Sequence, residues 1–307
     1  MLTLQIGRVA VAAIAMLALS PASAATSCDE NCLLGVATTY LDSLTANDPT
    51  GVQFSRTLRS TENGVPTAPG AGIWKTATAW GYRHTFVDAT TGQIGVFGSV
   101  VEADDKRAIV TVRLKVTDRQ VAESELLVAH EGDFSLFNVQ RTDANPVFGA
   151  FVAPEYRSSR AALAAVAKSY FEGITHADPS LVQFHPDCNR VENGVQTTNS
   201  PPRMTTSCAE GLHRFAYMQH YRELRIPVID TARGLVWAVT AFDMPLMQKS
   251  MTIRGKPYEI TPERQHLPRT MFLYELFKVE GGKIRAIEAQ MRNAPLGTTM
   301  GWSDLKQ

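Results

Sequence analysis

The sequence predicts an α+β fold built as two tandem cone-shaped domains, each with three helices packed in a curved antiparallel sheet. Three observations predict it. Glu62-Asn63-Gly64-Val65 recurs as Glu192-Asn193-Gly194-Val195, and from Val36 to Thr67, 14 of 32 positions match the residue 130 places further on. Each half opens with an amphipathic helical pattern and then reads as strands to its end. Both copies of Asn-Gly lie between short strand-like runs, where a two-residue type I′ turn belongs. The chain is an internal duplication, and each half can be used to read the other.

The 307 residues divide into a leader at 1–24, a first repeat at 25–150 and a second at 151–307 that carries an insertion at 244–268. Each repeat is long enough to bury its own core. The apolar fraction is 44%, and 30 basic residues balance 30 acidic ones. That composition gives no field to hold nucleic acid or an anionic membrane, so neither is expected as a partner. In the leader, Arg8 precedes the apolar run Val9 to Leu19, and Ala22-Ser23-Ala24 reads as a cleavage site. This is the pattern of a secretory signal, too short to span a bilayer, and it predicts a periplasmic or secreted protein.

Four cysteines in an oxidising compartment allow three disulfide connectivities. The repeat favours Cys28–Cys32 with Cys188–Cys208: Leu58 stands where Cys188 has its counterpart, and no cysteine lies near the counterpart of Cys208, so that pair is absent as a pair. A metal site is the rival reading of the CxxxC spacing, but no second close Cys/His pair accompanies it, and no metal is expected.

In chain order, Leu33, Val36, Tyr40 and Leu44 form one helical face, repeated by Leu163, Val166, Tyr170 and Ile174 after Ser158-Ser159 as caps. Each helix stops before Asp-Pro, where Asp caps and Pro opens a short second helix. The Asn-Gly turns follow, then a third helix led by Gly72-Ile73-Trp74 or Gly211-Leu212-His213. Strands are predicted at 82–88, 93–102, 107–117, 121–130 and 133–142, and at 221–229, 234–243, 269–279 and 283–292. The closing hairpins would turn at Glu131-Gly132 and Gly281-Gly282, which makes Glu125 the counterpart of Glu275 and Gln140 that of Gln290. Residues 143–157 bridge the halves, and 244–268 reads as an ordered flap.

In order and length these elements resemble the nuclear transport factor 2-like superfamily, with its SnoaL-like and ketosteroid-isomerase-like members. The ENGV repeat, the Gly-Ile/Leu-Trp/His lead-in and Tyr274-Glu275-Leu276-Phe277-Lys278-Val279-Glu280-Gly281-Gly282-Lys283-Ile284 are similar to an uncharacterised family of secreted proteins of this fold. The resemblance implies a cone with one opening and an apolar interior. Many members pair through the outer faces of their sheets, and here the two repeats would make that contact within one chain. The fold hosts isomerases, dehydratases, lyases and non-catalytic proteins, so function must come from the site.

Two constellations in the second repeat could carry acid–base chemistry. If the third helix runs on, His213, Tyr217, His220 and Tyr221 share a stripe where the first repeat has Trp74, Thr78, Gly81 and Tyr82. The competing reading is a polar helix face with satisfied rings. On the last hairpin, a turn at Gly281-Gly282 sets Glu280 opposite Lys283, hence Glu275 opposite Glu288 and Leu273 opposite Gln290, with Phe277, Ile284 and Ala286 on the same face. Facing carboxylates repel, so one holds its proton to higher pH; a solvated face, or neutralisation by Arg222 or Arg285, is the alternative. Tyr170 is a candidate hydrogen-bonding group on the enclosed helix. No phosphate-binding glycine loop, zinc signature or nucleophile elbow is present. The expectation is an exported, cofactor-independent lyase, dehydratase or isomerase acting on a small, largely apolar molecule, an aromatic diol being one example, with a non-catalytic ligand-binding or assembly protein as the competing class.

Overall fold

Helix α1 (Glu30–Thr45) buries Leu33, Ala37, Tyr40, Leu41 and Leu44, and α3 (Arg160–Thr175) buries Leu163, Ala167, Tyr170, Phe171 and Ile174. The apolar spacing of the sequence is therefore the packing face of each helix. Asp29 caps α1 through the Cys32 amide, and Ser159 caps α3 through that of Ala162. Asp48 and Asp178 cap the short 3₁₀ turns Pro49–Gly51 and Pro179–Leu181. The computed structural model describes residues 28–140, 145–200, 206–215, 217–218, 220–245, 249–253, 256–259 and 267–302. The leader and much of the 244–268 insertion lie outside the described residues.

The first half contributes β1 (Phe54–Glu62), β2 (Val65–Pro66), β3 (Ala77–Asp88), β4 (Gln93–Glu102), β5 (Arg107–Thr117) and β6 (Gln120–Ala129). A short helix α2 (Pro146–Gly149) precedes α3. The second half contributes β7 (Phe184–Glu192), β8 (Val195–Gln196), a one-turn helix α4 (Cys208–Leu212), β9 (Tyr221–Asp230), β10 (Leu235–Met244), the small hairpin β11 (Ser250–Ile253) and β12 (Lys256–Glu259), β13 (Arg269–Glu280) and β14 (Lys283–Pro295). The two six-stranded sheets have the same order, β2-β1-β6-β5-β4-β3 and β8-β7-β14-β13-β10-β9. Both are mixed rather than purely antiparallel, because β1 runs parallel to β6 and β7 to β14. The expected third helix is only a 3₁₀ turn, Gly72–Lys75, in the first half; in the second it is α4 followed by the 3₁₀ turn His213–Phe215.

Residues 133–140, the described part of the predicted strand 133–142, do not form it. The first half's closing hairpin is β5–β6, one hairpin earlier than the sequence alignment placed it. Glu62 pairs with Leu126 and Glu192 with Ala289, so the residues one place earlier, Glu125 and Glu288, are counterparts. Val112 faces Leu126 as Glu275 faces Ala289, which makes Val112, not Glu125, the counterpart of Glu275.

Each sheet wraps its helix around an apolar core, and the outer faces of the two sheets pack against each other. Phe86, Phe97 and Leu127 from one half meet Val228, Trp237, Phe272 and Tyr274 from the other, with Phe148 of α2 among them. Trp237 makes edge contacts with Phe86 and Phe97 at 5.2 and 6.1 Å between ring centres. Buried polar groups register this interface. Arg225 grips Glu125 with two bonds of 2.6 and 2.8 Å, Tyr274 donates to Glu125 at 2.8 Å, and Tyr82 donates to Glu288 at 2.8 Å.

The repeated tetrapeptide is explained by this assembly. Asn63 and Gly64, and Asn193 and Gly194, all have positive φ, as a type I′ turn requires. The Asn side chains staple each turn to the sheet, Asn63 through the Val128 amide and Asn193 through both backbone groups of Met291. Each Gly carries the other half's tail: a Cβ on Gly64 would collide with the Thr299 carbonyl, and one on Gly194 with that of Asn138. Gly64→Ala and Gly194→Ala are expected to destabilise by about 1–3 kcal/mol each, from strain at positive φ and displaced backbone. Gly35→Ala in α1, where a Cβ meets nothing, is expected to stabilise by about 0.5–1 kcal/mol. Denaturant midpoints measure all three.

Disulfides join Cys28 to Cys32 and Cys188 to Cys208. The second ties β7 to α4, next to the interior of the second cone. Two disulfides point to an oxidising environment, and among the described residues no helix is long and apolar enough to cross a membrane.

Candidate functional site

The second cone encloses a polar cluster that the first lacks. On β7 the alternation of a strand sends Arg190 and Glu192 to the same face, where Arg190 Nε donates to Glu192 Oε1 at 2.7 Å and to Thr197 Oγ1 at 3.2 Å. The guanidinium lies 4.5 Å from the centre of the Phe215 ring. Glu275 enters from the middle of β13, between the interior residues Ala238 and Ala289. Tyr170 descends from α3 beside both Arg190 and Glu275, with the Phe277 ring 4.9 Å away.

Glu275 is 2% exposed, and its Oε2 has no hydrogen-bond partner among the described residues. Burial pushes its pKa up to about 8; Glu192 adds to the rise, while Arg190 and Tyr170 oppose it. Glu275 is therefore mostly protonated at neutral pH. Burial also raises Tyr170 well above an ordinary phenol, helped by the Glu275 charge. For Arg190 burial works against the charge, yet Tyr170 and Glu192 keep the guanidinium protonated. Its Nη1 is a second buried group without a hydrogen-bond partner.

In the first cone the corresponding interior is quieter. Tyr40 shares a hydrogen bond of 2.8 Å with Ser124, Val112 replaces Glu275, and Ser60 replaces Arg190. Glu62 caps the 3₁₀ turn through the Ile73 amide at 2.9 Å.

A cleft of about 510 Å³ opens at the second cone, lined by Tyr217, Arg269 and Asn293 and by Glu131, Gly132, Phe134, Ser135 and Phe137 of the first half. The stretch after β6 thus crosses to the other cone instead of forming a strand, held by Asn293 N donating to the Asp133 carbonyl and by Asn138 N donating to that of Asn193. Phe134 packs on the second core. Tyr217 stands between cleft and cluster, with its phenol raised by burial and by Glu192, and held back by Arg269 and Arg190.

Of the candidates read from sequence, Glu275, Tyr170, Phe277 and Tyr217 lie in or beside this interior. Glu288 and Gln290 do not. A β-bulge between Lys278 and Val279 shifts the register by one, so Glu275 faces Ala289 while Leu276 faces Glu288. A slip of one residue turns a side chain to the opposite face, and Glu288 and Gln290 fall in the interface. There Gln290 accepts from Thr111 at 2.6 Å. The first half has the same bulge between Lys115 and Val116.

His213, Tyr217, His220 and Tyr221 do not share a helical stripe: His213 lies in the 3₁₀ turn, Tyr217 and His220 are not helical, and Tyr221 opens β9. His220 is exposed before β9, and Tyr221 donates to Glu172 of α3 at 2.6 Å. Arg222 is engaged by Asp243 at 2.8 Å and by Glu223. Sequence reasoning missed Arg190, Glu192 and Arg269. The available signal was Arg190-x-Glu192 at strand spacing where the first half has Ser60-x-Glu62, hidden because the repeated Glu was read only as part of a turn.

The profile of DUF8021, a domain of unknown function, matches residues 28–133 and again 156–291. No curated protein matches the chain. Among solved structures, a protein of unknown function with a cystatin-like fold from Methylobium petroleophilum PM1 is 14% identical, covers 44% of this chain and 99% of its own, and has a TM-score of 0.31. An uncharacterised protein with a cystatin-like fold from Caulobacter vibrioides is 20% identical over 44% of this chain and 88% of its own, with a TM-score of 0.29. LinA is 12% identical over 46% of this chain and 90% of its own, with a TM-score of 0.28. The architecture is a tandem of two like domains, each a curved mixed sheet that wraps a helix.

Proposed function

The chain belongs to the DUF8021 family, and from that premise we propose that its second cone is an acid–base site for a small, largely apolar molecule, with the first cone as its structural partner. The observation that carries this reading is Glu275: a buried carboxyl with an unpartnered oxygen and a pKa near 8, beside Tyr170 and Arg190. A group with that pKa exchanges protons readily at neutral pH. In the protonated form it would protonate a leaving or carbonyl oxygen, and its conjugate base would take a proton back. Arg190 supplies fixed positive charge for an oxygen that becomes negative, in a site where little water competes. Elimination, such as dehydration, and isomerisation need only these parts. The two disulfides fit an exported protein that works outside the reducing cytoplasm.

The test is Glu275→Gln against Glu288→Gln, assayed on a panel of small aromatic hydroxy- and oxo-compounds. Glu275→Gln is expected to cut turnover by about a hundredfold or more, and Glu288→Gln to leave it within a few-fold. Equal activity of Glu275→Gln and wild type sinks the assignment. The second reading, a ligand-binding protein without catalysis, is favoured by the cleft lying outside the buried cluster, with Tyr217 between them. It is the better one if panel compounds bind and none is converted.

A further inference from the structure

The cleft at the second cone holds a cation that no acidic side chain answers among the described residues. Arg269, the first residue of β13, donates Nε to Asn293 Oδ1 at 3.1 Å and Nη1 to the Leu267 carbonyl at 3.4 Å, both neutral acceptors. Arg113, Arg190, Arg222, Arg225 and Arg233, also partly or fully buried, each reach a carboxylate. Among the described residues Arg269 reaches none. Its surroundings are built for a ligand with an apolar body: Phe134 and Phe137 come from the first half, and Tyr217 forms the wall towards the interior. Among the described residues that line the cleft the single acid is Glu131, which is exposed, so solvent and salt weaken its field.

We infer that this cleft takes a small organic carboxylate, its anion on Arg269, its apolar body against Phe134, Phe137 and Tyr217, and its other end turned towards the Tyr170–Arg190–Glu275 cluster. The chemistry of recognition is an ion pair made where burial strengthens it. Burial works against the charge on Arg269, and a bound anion offsets that cost. The inference rests on the reading of the cluster as the reactive end. It adds that the first half completes the site of the second, since five of the eight residues lining the cleft belong to the segment after β6.

The test uses the full chain and calorimetric titration with cinnamate and with its neutral isostere cinnamamide. Cinnamate is expected to bind at least about tenfold more tightly, with the margin shrinking as salt is added. Arg269→Gln is expected to erase the margin while leaving the circular dichroism and Tm unchanged, and Arg269→Lys to keep part of it. Glu275→Gln is expected to keep the margin and lose only turnover. Equal binding of acid and amide, no binding of either to millimolar concentration, or a margin that survives Arg269→Gln overturns the inference. If Arg269→Gln does not fold, the acid–amide comparison on the wild type decides. Loss of the margin in Arg269→Gln with full activity in Glu275→Gln would keep the cleft and reject the reading of the cluster; the reverse pair would reject the cleft alone.

Discussion

Glu275→Gln is expected to remove a pH dependence of stability that the wild type shows between about pH 4.5 and 8. The folded protein holds this proton up to about pH 8, whereas an ordinary glutamate releases it near 4.5. Across that window the folded state binds more protons than the unfolded state, so stability falls as pH rises. The contribution is complete below pH 4.5 and gone once pH has passed 8. The slope approaches about 1.4 kcal/mol per pH unit inside the window. Gln has the same shape and no proton to lose, so the variant should be the more stable form at pH 8 and near parity at pH 4.5. Urea midpoints of both proteins at four pH values measure it. A wild type whose stability is flat across the window would mean that Glu275 is solvated or paired, and would remove the support for a proton donor in the second cone.

Glu125→Ala is expected to have the largest effect on folding, a loss of about 3–5 kcal/mol. Glu125 receives a two-pronged contact from Arg225, a third contact from Arg113 at 3.4 Å and a hydrogen bond from Tyr274. Arg225 has no other carboxylate within ion-pair distance among the described residues, so removing Glu125 leaves its guanidinium buried without a counter-charge. The pH sign is opposite to that of Glu275. Burial alone would raise the Glu125 pKa, but Arg225 and Arg113 outweigh it and hold the carboxyl below its ordinary value. Its stabilisation is therefore present at neutral pH and lost as pH falls below about 4.5. Because Arg225 comes from the other half, the variant should also separate the unfolding of the halves, visible as a broadened or two-step calorimetric transition. A single sharp transition with an unchanged midpoint would show that the apolar contacts between the sheets suffice.

These two glutamates show how far one sequence reads. The duplication, both enclosing helices, the Ser159, Asp48 and Asp178 caps, the Asn-Gly turns and eight of the nine predicted strands were legible, because periodicity and turn chemistry are local properties. The disulfide partners were legible too, because a duplicated chain displays what one copy has gained. Glu275 and Tyr170 were found as candidates from residue type and position alone. Their chemistry was assigned to the wrong company, since Glu288 was counted across the hairpin without its bulge. A bulge adds one residue to one strand with no signature of its own, and strand period two converts that single residue into the opposite face. A separate error matched Glu125 with Glu275: the first half's closing hairpin was set one hairpin too late, and the sheet makes Glu288 the counterpart of Glu125.

The sequence by itself determined that two like domains follow one another and which helix each sheet encloses. Only the tertiary structure decided which residues register the two outer faces, that Arg190 and Glu192 meet Glu275 and Tyr170 in one cone, and that the stretch after β6 leaves its own sheet to wall the neighbouring cleft. Those contacts join residues as many as 206 positions apart. Their partners are chosen by burial and charge across the interface, not by any local preference of the chain, so no window of sequence contains them.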